Sequence, residues 1–461
     1  MKKLASTILL TVLMSGCLVG PKFQKSTMKS PEGYRFKNKA AAADSITTMK
    51  WMEVYKDSAL QSLIQTALKE NKDMLTAMAK IDQARATAGF NKADYFPSLG
   101  YSGRAGRLDL SNNNSNEVGG GAPRNTFSAA GTISWELDLW GKVRHANRAA
   151  LADLVSTEEN QRAITTSLIA EVAGLYFQLR GLDDRLNIAQ RTLTFRQESL
   201  RIITLRFEGG EVAELDKFQA QAQLAITEAL VPNLERQVAQ TENALSVLLG
   251  QPPSAINRGL DNKTQQFPVT IPEGLPSSLL NRRPDVRQAE QGWIAQNERI
   301  GIAQAQRFPS ISLTGLLGVG SQELSGLTSG DAGMWYLTGS ITGPIFNFGK
   351  NKRRVEIETA KTEQTRLHYE KAVLTALADV ENALVSVDTY RREYEARSRQ
   401  VEASRGAANL SKARYDDGYI DYLEVLDNER TLLDAELQAA QTLEQQLRAT
   451  VVLYKALGGG W

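Results

Sequence analysis

Two periodicities alternate along this chain of 461 residues, and each of them occurs twice. In the segment 127–139 the odd positions are Phe127, Ala129, Gly131, Ile133, Trp135, Leu137 and Leu139, while the even ones carry Ser128, Ala130, Thr132, Ser134, Glu136 and Asp138. The segment 335–345 sets Trp335, Leu337, Gly339, Ile341 and Ile345 against Tyr336, Thr338, Ser340 and Thr342. Ahead of each lies a partner, Leu99, Tyr101, Gly103 and Ala105 in one case and Ile311, Leu313, Leu317 and Val319 in the other, alternating with mostly small polar residues. Period two with one apolar face predicts four β-strands, two before each long helical stretch. Loops rich in Asn, Gly and Ser (111–125 and 320–333) join each pair.

Elsewhere the period is helical. Ile164, Leu168, Val172, Leu175 and Leu179 recur at helix spacing within 142–206, as do Val373, Leu377, Val380, Leu384 and Val387 within 350–414. Neither stretch contains proline, and a helix of that length reaches roughly 100 Å. Spacing alone would also suit a coiled-coil stalk. Each long helix ends in a glycine turn (Gly209-Gly210 and Gly418) followed by a second helix over about 212–248 and 420–457, so two antiparallel helical hairpins are expected. Shorter helices over about 60–94 and 285–306 precede the strand pairs. Pro232 falls inside the helix after the first turn, where a kink is expected; its counterpart is Ala440.

These elements form a plan written twice. A shift of 208 carries Trp140-Gly141-Lys142 onto Phe348-Gly349-Lys350, Arg206 to Gly210 onto Arg414 to Gly418, and Leu249-Gly250 onto Leu457-Gly458. A repeat this long is a duplicated domain plan, since solenoid units run roughly 20–50 residues. The expected organisation is a signal segment at 1–16, an N-terminal segment at 17–59, a first repeat at 60–250, a connecting segment at 251–281 and a second repeat at 282–461.

The strands are about as long as a tilted membrane-spanning strand needs to be, and Tyr101, Trp135, Trp140, Trp335 and Tyr336 lie along or at the ends of them as an interfacial girdle would. Four strands cannot close a barrel, and an open sheet edge in lipid leaves backbone groups unsatisfied. Several chains must therefore share one barrel. The N-terminus adds a route to the membrane: Lys2-Lys3, an apolar run too short to span a bilayer, then Met14-Ser15-Gly16-Cys17. Cys17 is the one cysteine of the chain, placed where a bacterial lipoprotein signal has its lipidated residue, though Met14 stands where such signals usually carry Leu. Ordinary signal cleavage with an incidental Cys is the alternative. The formal net charge of +2 includes Lys2 and Lys3, so the remainder is close to neutral and points to no nucleic-acid partner.

Seven strings together resemble the TolC-like outer-membrane efflux channels, in particular the lipidated branch that serves resistance–nodulation–division (RND) pumps. They are 17–21 (Cys-Leu-Val-Gly-Pro), 95–98 (Tyr-Phe-Pro-Ser), 134–141 (Ser-Trp-Glu-Leu-Asp-Leu-Trp-Gly), 274–276 (Gly-Leu-Pro), 282–286 (Arg-Arg-Pro-Asp-Val), 346–350 (Phe-Asn-Phe-Gly-Lys) and 414–427, from Arg414 to Asp427. The resemblance covers essentially the whole chain. It implies a mainly α, internally duplicated fold: a homotrimer sharing a 12-stranded transmembrane β-barrel, four strands per chain, continued by a long periplasmic α-helical barrel with an irregular belt built from 18–60 and 251–281. The implied function is the outer-membrane exit duct of a tripartite efflux system in a Gram-negative bacterium, working with a periplasmic adaptor and an inner-membrane RND pump. A protein-secretion duct shares this plan, and a lipid-anchored periplasmic coiled-coil protein is a rival of another class.

No catalytic constellation accompanies these motifs. His145 and His368 occupy non-equivalent positions on the long helices, so neither a metal site nor a cofactor is expected. The resemblance places the periplasmic gate near the glycine turns. Leu423 and Asp427, at i and i+4, share one helix face and would form an apolar ring and an acidic ring; alternatively, Leu423 packs on a neighbouring helix and Asp427 is a solvated charge. Arg414, Tyr415 and Tyr419 would bridge helices in the closed tip, although a cation at a helix C-terminus is reason enough for Arg414. Gly209, Gly210, Val212, Gly418 and Ile420 would form the turns on which the adaptor docks. The transported substrate is not written in the sequence.

Overall fold

The structure is a computed structural model that describes residues 18–25, 33–36, 50–108, 123–265 and 282–459. In chain order its elements are α1 (Trp51–Val54), α2 (Ser58–Glu70), α3 (Lys72–Ala93), β1 (Ser98–Leu108), β2 (Arg124–Leu137), α4 (Lys142–Glu208), α5 (Glu214–Leu248), α6 (Pro284–Ala305), β3 (Ser310–Ser321), β4 (Gly333–Thr342), α7 (Lys350–Asp416) and α8 (Tyr422–Ala456). The order helix, two strands, long helix, helix thus occurs twice. Both long helices have 67 residues.

The duplication extends to backbone conformation. Gly210 and Gly418 have φ of 75° and 78°, and Gly250 and Gly458, past α5 and α8, have 68° and 75°. At each tip the chain closes the helix with a pair of hydrogen bonds: Glu211 N donates to Arg206 O (2.8 Å) and Gly210 N to Phe207 O (2.9 Å), matched by Tyr419 N to Arg414 O (2.8 Å) and Gly418 N to Tyr415 O (2.9 Å). This is the Schellman termination, in which a left-handed residue lets the chain reverse while satisfying the last carbonyls. A Cβ at Gly210 or Gly418 would meet no atom within 4 Å, so the demand for glycine there is conformational and not steric.

One expectation needs correction. The helix expected at 60–94 is two helices. Asn71 breaks it by adopting extended backbone, and its side-chain oxygen accepts from the N–H groups of Asp73 (2.9 Å) and Met74 (3.0 Å), capping α3. Pro232 lies inside α5, as expected, and the helix continues around it from Glu214 to Leu248. Leu230, Val231, Leu234 and Val238 on either side of it pack against Leu182, Leu186 and Ala189 of α4. Burial along that face offsets the lost hydrogen bond.

The chain divides into two compact units, residues 1–27, 81–157 and 289–369 in one and 28–80, 158–288 and 370–461 in the other. The first holds the sheet, which is antiparallel throughout in the order β1-β2-β3-β4. Its registers run without a bulge, from Ser98↔Ser134 to Leu108↔Arg124, Phe127↔Ser321 to Leu137↔Ile311 and Ser310↔Thr342 to Val319↔Gly333. Odd-numbered residues therefore share one face across all four strands, and even-numbered residues share the other. Below the sheet, Trp140 stacks on Phe308 at 4.6 Å, and Trp293 packs between Phe23 (4.6 Å) and Tyr369 (5.7 Å).

The second unit has a core of Tyr55, Tyr176, Phe177 and Tyr454, all of them almost wholly buried. Asp57 caps α2 within this core. It accepts from the Tyr176 hydroxyl (2.8 Å), Gln265 Nε2 (2.9 Å), Leu260 N (2.9 Å) and Ala59 N (2.9 Å), which ties the irregular stretch after α5 to the helices. Burial alone would raise the pKa of this carboxyl; the hydrogen bonds from Gln265, Tyr176 and the two backbone groups outweigh it and hold the group below its ordinary value.

Candidate functional site

At the hairpin tips the four long helices of the second unit meet around a small apolar cluster. Ile203 of α4, Ala220 of α5 and Tyr422, Val425 and Leu426 of α8 are buried in it, with Leu200, Val212, Tyr415 and Ile420 packed against them. Val212 and Ile420 thus sit beside the exposed turn glycines with one side in this cluster. Because Tyr422, Val425 and Leu426 point inward, the helical period turns Leu423 and Asp427 the other way. Leu423 is 60% exposed, and Asp427 is exposed and pairs with Arg430 at 2.6 Å. Within one chain, then, Leu423 packs on no neighbouring helix core.

The aromatic and cationic residues of the turn divide into two sets. The Arg414 and Tyr419 side chains are exposed, Tyr419 by 74%. Tyr415 faces inward, with its ring 5.3 Å from that of Tyr422 and the Arg206 guanidinium 5.2 Å above it. Arg206 also lies 3.5 Å from Asp416. At the turns themselves it is therefore Arg206 that bridges the two hairpins within a chain, a residue the sequence reading overlooked although it is the repeat counterpart of Arg414.

A second overlooked group lies further from the turn, nearly three helical turns along α4. Arg196 of α4 is buried and donates to Gln223 O (2.6 Å) and Thr227 Oγ1 (2.5 Å) of α5. Glu429, on the α8 side, is pushed up to about 7 by burial, against the opposing pull of Arg196 and Lys412. Burial also raises the Tyr422 phenol. In sequence Glu429 reads as one more carboxylate on a helix face, and only tertiary packing distinguishes it.

The sheet presents an apolar odd face, on which Tyr101 is 95% exposed and Trp335 77%, together with Leu99, Leu317, Leu337 and Ile341. Its even face is mostly small and polar, with Ser102, Ser128, Thr132, Ser134, Thr314, Thr338 and Ser340. That contrast is what a bilayer outside and water inside demand of a spanning strand. No helix among the described residues is long and apolar enough to cross a membrane.

Cys17 lies outside the described residues. The segment after it is held along the first unit. Val19 N donates to Trp140 O (3.3 Å), and a Cβ on Gly141 would collide with Leu18. Asn297 Nδ2 donates to Pro21 O (3.2 Å), and Lys25 pairs with Glu290 at 2.6 Å. His145 belongs to this attachment: it is buried, with Nδ1 2.5 Å from Glu298 and Nε2 3.1 Å from Val19 O. His368 is exposed. Among the described residues no group of three or more His, Cys, Asp or Glu could hold a metal ion.

A duplicated chain whose four strands must be completed by other copies, and whose paired hairpins expose a leucine and an aspartate on one face, is a subunit of an oligomeric channel. The outer membrane efflux protein family matches it over residues 63–251 and 275–459. The antibiotic efflux pump outer membrane protein ArpC of Pseudomonas putida is 32% identical over 465 residues, covering 100% of this chain and 96% of ArpC. The cation efflux system protein CusC of Escherichia coli is 31% identical over 451 residues, covering 97% of this chain and 96% of CusC. Among solved structures, the open state of the Neisseria gonorrhoeae outer membrane channel MtrE superimposes with a TM-score of 0.88 at 31% identity, covering 96% of this chain and 98% of that one. The chain belongs to the outer membrane efflux protein family. It is an outer-membrane efflux channel protein of the TolC-like fold, whose solved members are trimeric channels with a helical barrel. The rival reading as a coiled-coil structural protein, which required no membrane strands, is set aside.

Proposed function

We propose that three copies of this chain form the passive exit duct of a tripartite system, that a periplasmic adaptor docks on the turns at Gly209, Gly210, Val212, Gly418 and Ile420, and that an inner-membrane RND pump supplies the energy. The observation that carries the gating part is the 60% exposure of Leu423 at the tip of α8, beside the buried Tyr422, Val425 and Leu426. Around a threefold axis this surface meets its own copies, and three leucines then form the constriction with the Asp427 ring one turn away. Single cysteines at Val212 and Ile420 should crosslink to the adaptor in membranes; crosslinks at neither position would remove the docking claim.

Arg414 fits the same scheme through the repeat. Arg206 stacks on Tyr415 and approaches Asp416 within the chain. The shift of 208 maps Tyr415 onto Phe207 and Asp416 onto Glu208. Arg414 would then make the equivalent contact to Phe207 and Glu208 of the neighbouring copy, closing the ring of hairpins. Tyr419, beside it, would bridge the same boundary.

Acylation of Cys17 would hold the N-terminus at the membrane. Its support is the fixed position of Leu18 and Val19 against Gly141 and Trp140, one covalent step away and beside an aromatic pair at the base of the strands. Labelled palmitate should enter the wild type and be absent from Cys17→Ser; equal labelling of the two would refute the assignment. The relatives named for antibiotics and for cations are equally similar to this chain, so similarity does not choose its substrate.

A further inference from the structure

The even face of the sheet carries an uneven distribution of charge. Arg104 of β1 and Arg124 of β2 both lie on it, exposed, and among the described residues neither guanidinium has a hydrogen-bond or ion-pair partner. The one carboxylate of that face within the strands, Glu136, lies at the opposite end, where Lys142 neutralises it at 2.9 Å. Ser98, the first residue of β1, is joined to the end of α3 at Ala93 by the short stretch ending in Pro97, so the Ser98 end of the strand is the helix side and the Leu108 end is the loop side. Arg104 stands opposite Ser128, and Arg124 opposite Leu108. The two cations are thus separated by about 13 Å along the strand, at about 3.3 Å per residue, and both belong to the loop-side half.

Because the odd face is apolar and exposed, the even face is the one that lines water. In a threefold barrel each of the two arginines becomes a ring. A narrow pore with low-dielectric walls concentrates the field of such rings, and arginine rings favour anions. The guanidinium fork also matches phosphate and carboxylate oxygens in pairs. We infer that the outer half of the barrel lumen is a binding site for polyanionic solutes, multiply phosphorylated or carboxylated, built from Arg104 and Arg124 of three chains. The inference rests on the trimeric barrel. It adds a specificity to the exit of the duct that the gate does not set: anionic cargo is drawn outward, and polyanions from outside lodge there.

Arg107 supplies the control. It is one strand position from the lumen pair but on the odd face, where it meets lipid headgroups and not the pore. The test titrates inositol hexakisphosphate into the full-length, detergent-extracted protein, whose mass is measured in parallel. Access from the loop side makes the result independent of the state of the periplasmic gate. Wild type should bind near one molecule per trimer, with an affinity that falls as salt rises. The combined variant Arg104→Gln with Arg124→Gln should bind about tenfold more weakly or worse, roughly the loss of 1.4 kcal/mol or more. Arg107→Gln should stay within about twofold of wild type, since its charge is outside the pore. A trimer that does not bind the probe, or whose double variant binds as well as wild type, overturns the inference and leaves the barrel standing. Equal weakening by Arg107→Gln overturns it in favour of an outer-wall headgroup site. A protein that is extracted as a single chain overturns the barrel reading itself, and this inference with it.

Discussion

Replacing Leu423 and Asp427 together by alanine should raise the single-channel conductance of the reconstituted trimer and sensitise cells to compounds that enter through it. The argument begins with burial. Tyr422, Val425 and Leu426 spend the inward face of α8 on the chain's own core, which leaves Leu423 60% exposed. If copies meet at the axis, each leucine loses part of that exposed surface, worth on the order of 1 kcal/mol per chain. Three such contributions bias a closed tip by a factor of roughly 100, and their removal returns that factor to the open state. Asp427 works against close approach, because three carboxylates repel, but Arg430 at 2.6 Å offsets its charge. Asp427→Ala alone should therefore change ion selectivity more than conductance, whereas Leu423→Ala alone should change conductance. Unaltered conductance in the double variant would show that these side chains do not line the constriction.

Alternation and spacing were enough to read the fold because they report local geometry directly. The four strands, both long helices and the glycine turns each depend on nearest neighbours: an apolar residue every second position, or a left-handed residue that only glycine occupies without strain. The break at Asn71 was legible in principle, since Asn followed two residues later by Asp73 is an N-cap pattern, but the apolar spacing of 60–94 ran straight across it. The site was less legible. Its exposed members, Leu423 and Asp427, are fixed by helical phase. Arg206 and Glu429 acquire their roles from helices more than 200 residues away in sequence and Arg196 from the facing helix of its own hairpin, and no local pattern separates them from the solvated charges around them. Arg104 was hidden differently: within an alternating strand it simply counts as polar, and it matters only because the register sets it on the same face as Arg124.

Glu429 gives the pH-dependent prediction. Burial raises its carboxyl from the ordinary glutamate range to about 7, with Arg196 and Lys412 pulling the other way and Tyr422 close by. Between pH 4.5 and 7 the folded protein keeps a proton that the unfolded chain has lost. Stability therefore falls as pH rises through that window and is level above it, the reverse of a carboxylate held low by a salt bridge. The size is at most about 3.5 kcal/mol per chain, from about 1.4 kcal/mol for each unit of displacement, and less to the extent that solvent reaches the half-buried group. Glu429→Gln keeps the shape and removes the charge. It should match wild type at pH 5 and exceed it at pH 8, raising the unfolding midpoint there by a few degrees. The readout is the difference between the two proteins across pH, which cancels every other titrating group, including the exposed Asp427 two residues away. The same linkage reaches the gate: any movement of α8 that brings Glu429 into water becomes easier as pH rises through 7. Parallel midpoints for wild type and Glu429→Gln from pH 5 to 8 would mean that the carboxylate is already solvated in the assembled trimer, and that the tip stores no such strain.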